Sequence, residues 1–165
     1  RHPETSRNQR VYGSGDPTIC RRREDMRFIG RVFKCGKFWA IEVPILDVVT
    51  QGRTKIEAYE MIADAIESLV NRKGFKVRVF QGEGKEFEIG ASDQTALTAL
   101  LLRRERLKSG MSLAEVAKRL GSKSPNSYAR YEQGRSTPSI QKLTRLFSAV
   151  ARNGDFVLTE SRIRT

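Results

Sequence analysis

Histidine is almost absent from this sequence: one residue in 165, His2. A lone imidazole at the start of the chain argues against histidine-based acid–base or nucleophilic chemistry. There are two cysteines, Cys20 and Cys35, with no CxxC spacing, so the chain offers no thiolate zinc site and fits a reducing cytosol. No apolar run approaches the roughly 18 residues of a membrane span. The opening RHPETSRNQR lacks the apolar centre of a secretion signal. No GxSxG elbow occurs, and GEGK at 82–85 is too short to cradle phosphates and reads as a hairpin turn. Nothing points to a cofactor. Repeats of solenoid length and low-complexity tracts are also missing.

Acidic charge is scarce in one region only. The net charge is +12, and residues 95–152 hold 12 Lys/Arg against 3 Asp/Glu, whereas residues 26–90 hold 11 against 9. A strongly basic segment beside a nearly neutral one suggests a polyanion partner for that segment alone.

The chain divides accordingly. Residues 1–25 are polar, carry the charge run RRRED and precede the first methionine, Met26; they read as a disordered leader, with the fold beginning near Met26. Residues 26–90 form the first domain. FIGRVFK alternates Phe28, Gly30, Val32 and Lys34 against Ile29, Arg31 and Phe33, the period of a strand. CGKF is a tight turn around Gly36, FWAIEVP a partner strand stopped by Pro44, and VVTQG a third short strand. TKIEAYEMIADAIESLVNRKG then opens on a capping box, Thr54 and Glu57, and carries Ile56, Tyr59, Ile62, Ala63, Ile66, Leu69 and Val70 at helical spacing, with Gly74 as the stop. FKVRVF and EFEIG add two more strands. The expectation is an α+β protein: a small antiparallel sheet covered by one helix, followed by an all-α domain.

ASDQ (91–94) is the expected hinge. Residues 95–152 then read as helices throughout, with 153–165 as a tail. Leu97, Leu100, Leu101 and Leu107 mark a first helix. Ser112 and Glu115 make a second capping box before SLAEVAKRL, which closes at Gly121. In GSKSPNSYARYEQG, Ser124 is the expected N-cap, Pro125 the first helical residue and Gly134 the stop. Tyr128 and Tyr131 lie three apart and face inward, which turns Asn126, Ser127 and Arg130 outward. A last helix, opened by Pro138 and Ser139, buries Ile140, Leu143, Leu146, Phe147 and Val150.

Two short helices joined by a tight glycine turn make a helix-turn-helix, and the second presents short polar groups suited to a DNA groove. Asparagine can pair with adenine, arginine with guanine, and serine or lysine can hold phosphates. The expected DNA-binding residues are Ser112, Lys123, Ser124, Asn126, Ser127, Arg130 and Arg135. The same polar surface would also suit a plain helical bundle in water.

LRRERLKSGMSLAEVAKRLGSKSPNSYARYEQGRSTPSIQKL resembles the Cro/repressor-type (XRE) helix-turn-helix, through Gly110, Ser112, Val116, Ala117, Leu120, Gly121, Arg130, Glu132, Gly134, Pro138 and Leu143. It departs from that family at Leu113, where many members carry glutamine, and in a turn one residue longer. EVPILDVVTQGRTKIEA resembles the N-terminal domain of HicB antitoxins, through Pro44, Leu46, Thr50, Gly52, Thr54, Glu57 and Ala58. Ile45 stands where that family usually has aspartate. The second resemblance implies a degenerate RNase H-like fold and a type II antitoxin. Such a protein would bind a small, basic, mRNA-cleaving HicA-like toxin and, through the helix-turn-helix, double-stranded operator DNA. It would work in the cytoplasm as a homodimer or higher homo-oligomer. Acids that could meet a basic toxin are Glu42, Asp47, Glu83, Glu86 and Glu88.

Two other functions stay open. One is a stand-alone regulator sensing a small ligand, with a cavity near Phe38 and Trp39, although both also suit the core of the sheet. The other is a metal-dependent nuclease, for which Glu42, Asp47 and either Glu60 or Asp64 would have to converge on a cation.

Overall fold

Alternation of buried and exposed residues builds the first strand. β1 (Phe28–Cys35) buries Phe28, Gly30 and Val32 and leaves Ile29, Arg31 and Phe33 on the opposite face. A computed structural model of the chain describes residues 26–151 and 156–163. The leader expected over 1–25 and the remainder of the tail lie outside the described residues.

Gly36 turns the chain at φ +59°, where a side chain would be strained. β2 (Phe38–Val43) returns antiparallel, with Ile41 opposite Val32. Pro44 then opens a short 3-10 helix, Pro44–Leu46, that buries Leu46. β3 (Val48–Gly52) pairs with β2, and after a helix β4 (Val77–Gln81) and β5 (Glu86–Ala91) complete the sheet. β5 pairs with β1, giving the order β3-β2-β1-β5-β4 with every neighbouring pair antiparallel.

The covering helix, α1 (Lys55–Val70), starts where expected. The Thr54 hydroxyl accepts the Glu57 N–H at 3.1 Å, but the Glu57 carboxylate reaches back to the Arg53 N–H at 2.6 Å rather than to Thr54. Ala58, Tyr59, Ile62 and Ile66 are its buried line. Ile56 and Leu69, both expected inward, are 69% and 37% exposed. Close approach explains the shift: a methyl on Gly52 would sit 2.4 Å from the Ala58 nitrogen, so the helix meets β3 along the Ala58 side and Ile56 is turned out. Asn71, not Gly74, ends the helix. It adopts φ +47° and its N–H bonds to the Glu67 carbonyl, while Gly74 turns in the loop beyond.

α2 (Gln94–Lys108) is capped by Asp93, whose carboxylate accepts the Ala96 N–H at 2.9 Å. It touches α1, β5 and the 3-10 helix on one side and α4 and α5 on the other. Every residue from Ala96 to Leu102 is therefore buried, and no single stripe describes it. Leu102 joins the core, whereas Leu107, expected inward, is half exposed near the C-terminal end. Through α2 the apolar core is one cluster that runs from Phe28 to Val150.

α3 (Leu113–Arg119), α4 (Asn126–Glu132) and α5 (Ile140–Val150) follow. α5 buries Leu146, Phe147 and Val150. Ile140, expected inward, is 77% exposed because the first turn of α5 runs ahead of the core. Residues 156–163 double back: Phe156 stacks on Phe147 at 3.9 Å between ring centres, and the Ser161 hydroxyl donates to the Glu88 carboxylate at 2.7 Å.

Candidate nucleic-acid interface

Local caps position the two short helices. The Ser112 hydroxyl accepts the Glu115 N–H at 3.2 Å, and the Glu115 carboxylate accepts the Ser112 N–H at 2.7 Å, so the expected capping box is complete. The Ser112 N–H, and next the Ser112 hydroxyl, which donates to the same carboxylate at 2.8 Å, hold the Glu115 carboxyl below its ordinary pKa. Gly121 takes φ +76° and sends its N–H to the Lys118 carbonyl. At the start of α4 the expectation needs correcting. The Ser124 side chain does not cap. Pro125 is already helical at φ −56°, so it is the Ser124 carbonyl that closes the first turn. That oxygen accepts the Ser127 N–H at 3.1 Å and the Ser127 hydroxyl at 2.7 Å.

Three contacts lock α4 in place. The Tyr128 ring is fully buried and its hydroxyl donates to the Leu102 carbonyl at 3.1 Å. Burial, and next the Glu132 carboxylate, raise the phenol's pKa and keep it protonated. Tyr131 is only half-buried, with the Arg130 guanidinium 5.3 Å and the Lys142 ammonium 5.7 Å from its ring centre. The third contact is a fork. Arg106 donates to both Glu132 oxygens, at 2.7 and 3.1 Å, and to the Met111 carbonyl at 2.8 Å. The two side chains are 14% and 7% exposed, and the bond that Arg106 donates to the Glu132 carboxylate holds the guanidinium pKa above its usual value. The sequence showed Glu132 only as part of a resemblance and hid Arg106 within LRRERLK.

The outer surface carries the expected residues. Lys123, Ser124, Asn126, Arg130 and Arg135 are exposed and Ser127 is half-buried, all on α4 or its flanks. Among the described residues the side chains of Lys123, Asn126 and Arg135 have no hydrogen bond or ion pair. Arg130 rests on the Ser136 hydroxyl at 2.9 Å, a bond that DNA could replace. Ser112 is exposed at the start of α3, but its hydroxyl is occupied by the cap. The three carboxylates of residues 95–152 are engaged within the chain: Glu105 with Lys108, Glu115 at the cap, and Glu132 with Arg106. Two of the three are paired with cations, which leaves Glu115 alone against the remaining Lys and Arg side chains and a net positive field on this domain.

Residues 102–151 match a helix-turn-helix family model. The C-terminal part of this chain is a helix-turn-helix domain. No curated protein matches the chain. The matched span begins at Leu102, the residue whose carbonyl receives Tyr128, and ends just past α5. A helix-turn-helix domain supports sequence-specific binding of double-stranded DNA and transcriptional regulation. Among the described residues no helix is long and apolar enough to cross a membrane.

The acids of the first half fare unevenly. Glu42 and Glu86 stand opposite Arg31 from its two sides on the outer face of the sheet, and Glu83 is exposed in the β4–β5 turn. Asp47, at φ +50°, is tied to Arg104 at 3.1 Å. Glu88 is not a surface acid. It is 7% exposed, covered by the returning tail and paired with Arg27 at 3.2 Å. Phe38 is not core either: it is exposed on the outer face, while Trp39 lies half-buried with the ammoniums of Lys34 and Lys55 within 6 Å of its ring at 5.6 and 5.9 Å. Among the described residues no three His, Cys, Asp or Glu side chains come together to hold a metal, and Glu60 and Asp64 stay on the exposed side of α1.

Proposed function

We propose that this protein is a transcriptional repressor that reads operator DNA with α4 and captures a small basic protein toxin with its sheet domain. The DNA half rests on one observation: Lys123, Asn126 and Arg135 stand exposed and unengaged beside Arg130, on a helix that Tyr128 and the Arg106–Glu132 fork hold rigid. Such a helix binds with little ordering cost. Two copies would place two recognition helices roughly 34 Å apart on adjacent half-sites. A gel-shift titration of the full chain with the DNA upstream of its own gene tests this. Binding that prefers this DNA over a scrambled duplex is expected; equal affinity for both would contradict sequence reading.

The toxin half rests on resemblance to HicB antitoxins, supported by Glu42, Glu83 and Glu86 on the exposed sheet domain, which suit a basic partner. The motif that carries the resemblance is itself structural. Leu46 fills the core, Gly52 admits the α1 backbone, and Thr54 and Glu57 cap that helix. Coexpression of the full chain with a HicA-like mRNA-cleaving toxin should restore growth. Undiminished toxicity would leave a DNA-binding regulator with a different partner.

A further inference from the structure

The junction of α1, α2 and α4 holds a groove of about 250 Å³. Its apolar lining is Leu69, Val70, Ala96, Ala99 and Leu100. Arg72 and Arg103 line it as well. Glu132 is also there, but its carboxylate is neutralised by Arg106. We propose that this groove binds a small organic anion, a carboxylate on a short apolar body, and that its occupancy acts on the recognition helix.

Charge and shape favour that occupant. Arg103 is exposed and has no hydrogen bond or ion pair among the described residues. Arg72 gives one nitrogen to Asp93 at 2.8 Å and another to the Gln133 carbonyl at 3.1 Å, and a guanidinium has donors to spare beyond those. Two guanidiniums beside a small apolar patch match a carboxylate on a short hydrocarbon body. A bare inorganic anion would gain nothing from the patch.

Arg72 also supplies the coupling. It bridges the cap of α2 and the carbonyl of Gln133, the residue that caps the C-terminal end of α4, and it packs so near Gly134 that a methyl there would lie 2.7 Å from its nitrogen. An anion that pulls the Arg72 guanidinium into the groove strains its bond to the Gln133 carbonyl. Thus the C-terminal end of α4 feels the ligand while Asn126, at the other end, faces outward. The coupling rests on the DNA-reading role of α4; ligand binding does not, so the two can fail separately.

The test is a titration of the full chain with benzoate and hexanoate, read by methyl chemical shifts, with inorganic phosphate alongside. Saturable shifts at Val70, Ala96, Ala99 and Leu100 are expected. In Arg103→Gln the affinity should fall about tenfold, the loss of one charge-assisted bond. Operator affinity should change with benzoate in the wild type and respond less in that variant. Absence of saturable shifts, equal binding by Arg103→Gln, or equal shifts with phosphate would each overturn the site. Binding without any change in operator affinity would overturn the coupling.

Discussion

Two tyrosines show how one residue type does opposite work. Tyr128 is buried with its hydroxyl bonded to the Leu102 carbonyl; Tyr59 is buried against the edge of Phe87, and its hydroxyl has no partner among the described residues. Tyr128→Phe should therefore cost about 1 kcal/mol, the loss of one buried bond to a carbonyl that keeps its place in the α2 helix ladder, whereas Tyr59→Phe should be neutral or stabilising. Urea denaturation of the two variants distinguishes them, and equal losses would show that Tyr59 has a partner after all. Glu132→Gln removes one member of a nearly buried pair and should cost about 3 kcal/mol. On the outer surface, Asn126→Ala should leave the melting temperature unchanged, Arg130→Ala should lower it only slightly through loss of its Tyr131 and Ser136 contacts, and each should weaken operator binding by roughly 1–3 kcal/mol. Unchanged DNA affinity would remove these residues from the interface.

At the scale of elements, the parts legible in the sequence are those governed by neighbours along the chain. Thr54, Ser112 and Ser139 cap the helices expected of them, and Gly36 and Gly121 turn where a left-handed residue is needed. What was missed is set by partners far away in sequence. Ile56 and Ile140 fit a helical stripe, yet each lies beyond the reach of the surface its helix meets. The Arg106–Glu132 fork, the Arg72 bridge and the tail that covers Glu88 join residues with no pattern linking them in the sequence. Gly52 is the clearest case of a packing requirement. Since the atoms beside it belong to the α1 backbone and cannot rotate away, Gly52→Ala should cost about 1–3 kcal/mol. A variant as stable as the wild type would mean that α1 can slide along β3.

For the whole molecule, α2 makes the sheet and the DNA-binding helices share one core. A change at either end can therefore be felt at the other. Stability against pH follows from three carboxyls held below their usual pKa. Glu67 is lowered by Lys76 and then the Val77 N–H, and Glu115 by Ser112. In Asp93 burial opposes the shift, but the Ala96 N–H and Arg72 outweigh it. A lowered folded pKa means that the unfolded chain binds more protons as the pH drops. Stability should hold from neutral pH to about 5 and decline below about 4 as these groups are titrated. Thermal melts across that range check it, and a midpoint that rises on acidification would contradict the assignment.

The central claim is that the outer surface of α4 meets DNA. A titration with short duplex DNA at low salt, read by backbone amide shifts of the full chain, tests it most directly. The largest changes should fall on residues 122–130 and on Arg135, and they should fade as salt is added because counterions then compete for the phosphates. Changes centred on the outer face of the sheet, or a response indifferent to salt, would contradict it.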